Sequence, residues 1–262
     1  MADSLIANIG GCQARFQLKP TAVKRPQRVI VYGPAGAGKT TFASRWPHAV
    51  LVDAEHGADE LDMMTIGTPG SGFEVCDMCQ WVADYGRDEG VETLVIDSLD
   101  AVEPLIWADV CREGARPSID AFEFGKGYAM ARERWAFIRS ALDRVVIAGI
   151  NVVCIGHAIS EVVHDPTGTD YTRYTIALHA KSAQDMIRWA DSVLFLDLDR
   201  EVKDVDRAKK VGKAFGSGRI IYTANRPGAL AKSRRVLPSE IDVGEDRGFT
   251  AFFQAWNGGM EA

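Results

Sequence analysis

Gly33 to Thr40 reads Gly-Pro-Ala-Gly-Ala-Gly-Lys-Thr, a complete G-x-x-x-x-G-K-[ST] loop that follows the apolar run Val29 to Tyr32 and precedes a helix-compatible segment. The glycines let the backbone curl with its N–H groups pointing inward, so the loop and the start of the next helix form a nest for phosphate oxygens. Lys39 adds a full positive charge that reaches β- and γ-phosphates, and the Thr40 hydroxyl is placed to ligate Mg²⁺. Neither role survives a shift of one residue. Gly33, Pro34, Ala35, Gly36, Ala37, Gly38, Lys39, Thr40 and Thr41 are therefore the expected triphosphate site.

Such a loop needs a buried strand before it, and the chain supplies more. Short apolar runs recur at Val29 to Tyr32, Val50 to Val52, Leu94 to Ile96, Val152 to Ile155, Val193 to Leu196 and Arg219 to Thr223. The first four are separated by segments long enough for crossover helices, the pattern of a parallel sheet with helices on its faces. The last two lie closer together, which suits an antiparallel turn of the sheet. From Tyr128 to Ala148, Trp135, Ile138, Leu142 and Val145 fall at three- and four-residue steps, a helix with an apolar stripe. The expected fold is α/β, a mainly parallel central sheet flanked by helices, with some antiparallel strands towards the C-terminus. A chain of 262 residues, 47% hydrophobic and 25% charged, can bury roughly 70 to 75% of its unfolded surface, and one large domain is the simplest outcome. We divide it into an N-terminal extension at 1–26, a core at 27–245 and a C-terminal helix or tail at 246–262.

Two stretches look like mobile excursions. Residues 157–175 contain the turn-prone Asp165-Pro166-Thr167-Gly168-Thr169-Asp170, and residues 200–218 are rich in lysine and end in Gly216-Ser217-Gly218. No apolar stretch of about 18 residues occurs, and the first residues lack the character of a signal peptide. A cytoplasmic protein without a membrane partner is expected. Five cysteines suggest reduced thiols rather than a disulfide framework. Cys76 and Cys79 form a C-x-x-C without a second ligand pair, and their segment reads as a helix. The net charge of −6 argues against a uniformly basic nucleic-acid coat but permits a local basic surface.

Leu94-Val95-Ile96-Asp97 is a strand ending in an acid, which in a parallel sheet stands at the same edge as the phosphate loop. Asp97 is the natural partner of Mg²⁺ beside Thr40. A second acid-bearing strand end is Val52-Asp53-Ala54-Glu55-His56. Glu55 is a candidate base for the attacking water of hydrolysis, and the alternative is that Asp53 or Glu55 caps a following helix.

Taken together, Val31-Tyr32-Gly33-Pro34, Gly38-Lys39-Thr40-Thr41, Val52 to His56 and Val95-Ile96-Asp97-Ser98 resemble the ATPase core of RecA-type recombinases, an AAA-type NTP-binding family with a RecA core. Phe124 to Tyr128, Cys154 to Ala158 and Ala231 to Arg234 resemble the compact RecA-like ATPases of phages, including single-strand annealing and recombination proteins. The resemblance spans roughly residues 27 to 242. It implies ATP and Mg²⁺ as cofactors, Glu55 and Lys39 as catalytic residues, and a cytoplasmic setting in a phage-infected cell. His157 stands where the family usually has a glutamine that senses the γ-phosphate. An imidazole can donate one hydrogen bond to phosphate, and a purely structural strand-end histidine is the alternative.

Lys232-Ser233-Arg234 resembles the K-x-R pair that ring and filament members insert into a neighbour's ATP site. Alternate residues of an extended segment project to one side, so Lys232 and Arg234 are candidate catalytic cations supplied in trans, and a homo-oligomer is implied. The alternative is solvated surface. Tyr171, Arg173, Tyr174 and Lys181, on the loop expected after His157, combine rings for base stacking with cations for the phosphate backbone; Lys126 is a further contact candidate. The implied partners are single-stranded DNA and a single-strand binding protein. The favoured function is a Mg²⁺-dependent ATPase acting on single-stranded DNA in recombination or strand annealing. The alternatives are a nucleotide-gated DNA-binding module with dispensable hydrolysis, a P-loop phosphotransferase, or a ring-forming motor.

Overall fold

Alternating side chains along the buried strands feed two separate cores, one on each face of a single sheet. The computed structural model describes residues 25–57, 63–166, 168–199, 201–206, 211–215 and 218–258, with 201–206 and 211–215 as backbone alone. In chain order the elements are β1 (Arg28–Gly33), α1 (Lys39–Ser44), β2 (Ala49–Asp53), β3 (Met64–Gly67), α2 (Gly72–Tyr85), β4 (Thr93–Asp97), α3 (Leu99–Glu113), α4 (Lys126–Ile147) and β5 (Asn151–Val163). There follow β6 (Tyr171–Ile176), α5 (Ala180–Trp189), β7 (Ser192–Leu198), β8 (Glu201–Asp206), β9 (Val211–Phe215), β10 (Arg219–Tyr222), β11 (Lys232–Ser233), β12 (Glu240–Gly244) and α6 (Thr250–Gly258).

The main sheet runs β12-β10-β7-β1-β5-β4-β2-β3. β1 lies between β5 and β7 and is parallel to both; β4, β2 and β3 continue in parallel. On the other flank β10 and β11 pair antiparallel with β7, and β12 pairs antiparallel with β10. All six apolar runs are strands, and the sheet turns antiparallel where their spacing shortens. Ile30, Tyr32, Leu94, Ile96, Val152 and Cys154 face the core built with α2, α3 and α4. Val29, Val31, Val95, Val153 and Ile155 face a second core with Phe42, Trp46, Phe252 and Trp256 of α1, the turn after it and α6. Strands buried on both faces read as continuous apolar runs, which is why they were visible in the sequence.

The helix expected over Tyr128 to Ala148 is α4, with Trp135, Ile138, Leu142 and Val145 buried. Cys76 and Cys79 lie on α2, and burial drives the Cys76 thiol up to about 11. Ser71 caps that helix by accepting the Glu74 N–H while the Glu74 carboxylate accepts from Gly70 N–H, a reciprocal cap. Among the described residues, six further strands lie outside those runs. For β3, half exposed, and β12, alternately exposed, the apolar run is missing.

One expectation is corrected. Residues 157–175 are not an excursion but largely a β-hairpin, in which β5 continues to Val163 and pairs with β6 from Ala158↔Ile176 to Val163↔Tyr171. The turn-prone residues occupy only the connection; β-branched and aromatic residues on either side carry the strands. Lys181 consequently sits not on a loop after His157 but in α5. Of the stretch expected as a second excursion at 200–218, only Gly218 and the backbone of β8 and β9, which pair antiparallel, lie within the described residues, and residues 1–24 of the extension lie outside them too. Among the described residues no helix is long and apolar enough to cross a membrane.

Candidate nucleotide site

The carboxyl ends of β1, β2 and β4 meet at one edge of the sheet, and register fixes which side chains face each other there. Gly33 pairs with His157, and Asp53 with Asp97. Gly33 admits no side chain, since a Cβ would lie 2.0 Å from the Leu196 carbonyl oxygen. Gly38 turns the loop into α1 with φ of 95°, a left-handed conformation that favours glycine.

Lys39 is buried, and its amine donates to the carbonyls of Gly33 and Pro34 at 3.2 and 3.1 Å. Burial lowers its pKa, while Asp97, Glu55 and Asp100 pull it back up. The Thr40 hydroxyl donates to Asp97 Oδ2 at 2.7 Å. Burial pushes the Asp97 carboxyl up to about 6, against the Thr40 hydrogen bond and the Lys39 charge. Glu55 Oε1 accepts from the Ser98 hydroxyl at 2.5 Å and stands 3.3 Å from His157 Nδ1. These groups line a cavity of about 350 Å³ together with loop residues, Arg219, Arg247 and Phe249.

The chemistry of this set fits a Mg²⁺-bound triphosphate. A buried ammonium bonded only to neutral carbonyls calls for an anion, and a buried carboxyl bonded to a loop hydroxyl calls for a cation. Thr40 and Asp97 would hold the metal, and Lys39 with the loop N–H groups the phosphates.

Asp53 accepts from Gly57 N–H at 3.2 Å, a local turn, and Glu55 points instead at Ser98 and His157. Lys232 and Arg234 lie at the opposite edge of the sheet. Lys232 and Ser233 pair with Val193 and Ser192, and Ser192 pairs with Val29 at the start of β1. They stand on the order of 13 Å along β1 from their own loop. Arg234 is bonded to Asp191 at 3.0 Å. The nucleic-acid candidates fall into two groups. Tyr171, Arg173 and Tyr174 share β6; Arg173 is paired with Glu161 at 2.7 Å, and Tyr174 stacks on Phe195 at 5.4 Å. Lys126 and Lys181 line a different cleft, between α4 and α5, with Tyr128, Arg132, Arg139 and His179.

Several site residues were missed. Asp100 Oδ1 accepts the His157 backbone N–H at 2.9 Å and Oδ2 meets His157 Nδ1 at 2.8 Å. In the sequence it is only an acid in the first turn of α3, and its partner comes from another strand. Arg219, whose Nε donates to the Ala37 carbonyl at 2.9 Å, and Arg247 come from the antiparallel flank and carry no local signal.

The family model described as "AAA domain" matches residues 25–235. No curated protein matches the sequence. Among solved structures, the chain is similar to the RadB recombinase, with 17% identity, a TM-score of 0.45 and coverage of 86% of this chain and 90% of that one. It is also similar to a KaiC-like protein from the hyperthermophilic archaeon Pyrococcus horikoshii OT3, with 15% identity, a TM-score of 0.45 and coverage of 86% and 88%. With most of its length matched and the phosphate loop in place at the edge of a largely parallel sheet, the chain belongs to the AAA domain family.

Proposed function

We propose that the protein is a Mg²⁺-dependent ATPase that acts on single-stranded DNA in recombination or strand annealing, working as a homo-oligomer with ATP between subunits. The observation that carries this reading is Glu55, held by the Ser98 hydroxyl in the same cavity as Lys39, Thr40 and Asp97. Mg²⁺, when bound, neutralises charge on the phosphate oxygens. Lys39 and the loop N–H groups hold the phosphates. Ser98 occupies one acceptor site of Glu55 Oε1 and turns the carboxylate so that its other oxygen is free to take a proton from water. The DNA half is supported by the β5–β6 hairpin, which grows out of the strand that carries His157, so that a change at the phosphates has a covalent route to Tyr171, Arg173 and Tyr174. Lys126 and Lys181 would add cations from the separate α4–α5 cleft. Lys232 and Arg234, remote from their own loop, would act on a neighbour's.

The test is phosphate release with and without single-stranded DNA. We expect Lys39→Ala to abolish turnover and Glu55→Gln to lower it roughly 10²- to 10⁴-fold while ATP still binds. Turnover indifferent to every nucleic acid would remove the DNA half. Strand annealing by Glu55→Gln at the normal rate would reduce hydrolysis to a dispensable step.

A further inference from the structure

His157 meets two carboxylates at one ring nitrogen. Nδ1 stands 2.8 Å from Asp100 Oδ2 and 3.3 Å from Glu55 Oε1. Asp100 also takes the backbone N–H of the same residue through Oδ1, at 2.9 Å. It therefore grips His157 at two points, fixing both the strand end and the ring. Carboxylate oxygens only accept, so the proton of a neutral ring resides on Nδ1. That leaves Nε2 as a bare lone pair, and among the described residues no protein group bonds it.

The consequence concerns phosphate. A neutral imidazole has one N–H, and here it is committed to Asp100. A bare Nε2 has nothing to donate to a phosphate oxygen, and it acquires a proton only in the imidazolium. A glutamine amide donates at any pH. The charged groups around the ring are Asp100 on α3, Glu55 after β2, Asp97 at the end of β4 and Lys39 on α1, with Arg219 of β10 and Arg247 before α6 lining the same cavity.

Resting on the ATP reading above, we propose that Asp100 is a positioning residue that locks His157 in the Nδ1–H tautomer, so that His157 contacts the terminal phosphate only as an imidazolium. Preference for ATP over ADP is then stronger in acid than in base. Glu55 and Asp100 converge on the same Nδ1 side of the ring.

The experiment has two arms on the full chain. In the first, ¹⁵N-labelled protein without nucleotide is examined across pH by long-range ¹⁵N–¹H NMR of the histidine rings, and the tautomer is read where the His157 ring is neutral. His157 is expected as Nδ1–H in the wild type, with the Nε2–H form appearing in Asp100→Ala and in the isosteric Asp100→Asn. An Nε2–H wild-type ring overturns the proposal. In the second arm, Mg²⁺–ATP and Mg²⁺–ADP affinities are measured by calorimetry at one pH below and one pH above the His157 transition seen in those spectra. The ATP-over-ADP ratio is expected to fall roughly ten- to a hundredfold more between these values in the wild type than in His157→Gln, with ADP affinity common to both. Equal pH dependence in the two proteins overturns the proposal, because ATP and Asp97 titrate alike in both. If neither nucleotide binds, the ATP reading fails and the phosphate contact with it, whereas the tautomer is judged on its own spectrum.

Discussion

Asp97 is a carboxyl whose folded environment disfavours its charge. Burial raises it from 3.8 to about 6, so between about pH 4 and pH 6 the folded state holds the proton more tightly than the unfolded chain does. Stability from this group is present below the unfolded value and is lost as pH rises through the folded one; at pH 7 it amounts to a cost on the order of 3 kcal/mol. Asp97→Asn is accordingly expected to raise the melting temperature of the nucleotide-free protein at pH 7 by about 3–6 °C, with the gain vanishing near pH 4. The same variant should lose the Mg²⁺-dependent part of its stabilisation by ATP. Thermal melts across pH, with and without Mg²⁺–ATP, check both halves; an unchanged or lowered melting temperature at pH 7 would contradict the burial cost. The placement of Lys39, Thr40 and Asp97 was legible in the sequence because it depends on spacing within one loop and one strand end. Asp100 was not singled out, because an acid on a helix's first turn usually just complements the dipole, and only the approach of His157 gives it a partner.

α6 shows how an element can be read as an appendage and yet fill a core. Phe252 and Trp256 are buried against Phe42 and Trp46, with ring centroids 4.9 Å apart for Phe42–Phe252 and 5.2 Å for Trp46–Trp256. Phe42 belongs to α1, directly after the phosphate loop. Phe252→Ala is expected to cost about 3–5 kcal/mol, measured by denaturant unfolding, and a cost below about 1 kcal/mol would mean that α6 is not part of the cooperative unit. In the β5–β6 hairpin, Glu161 lies directly across from Arg173 and pairs with it. Glu161→Gln should free that guanidinium, tighten single-stranded DNA binding and steepen its salt dependence by roughly one phosphate contact; titrations at several salt concentrations read this directly, and an unchanged slope would place Arg173 outside the DNA contact. The hairpin strands were hidden in the sequence by the turn residues between them. Antiparallel pairing of half-exposed segments leaves no continuous apolar run, so neither β6 nor β12 announces itself as β1 does.

Across the molecule, the sheet separates the phosphate loop at one edge from Lys232 and Arg234 at the other. If these cations complete a neighbour's site, Lys39→Ala and Arg234→Ala, each inactive alone, should restore roughly a quarter of wild-type turnover when mixed in equal amounts, since one interface in four then joins an intact loop to an intact cation. No recovery on mixing would leave Arg234 with its present partner Asp191 and a structural role. The sequence alone was sufficient for the phosphate-loop motif, for bringing Thr40 and Asp97 to one strand-end edge and for the parallel core, because the loop and the buried strands are written in local spacing and in runs of apolar residues. Tertiary structure alone decided that Asp100 holds His157, that Ser98 holds Glu55, that Arg219 and Arg247 reach the cavity, and that Lys126 and Lys181 share a cleft apart from the hairpin. Each of these depends on which strands become neighbours and in what register, a choice made by burying two faces of one sheet at once, which no short stretch of sequence encodes.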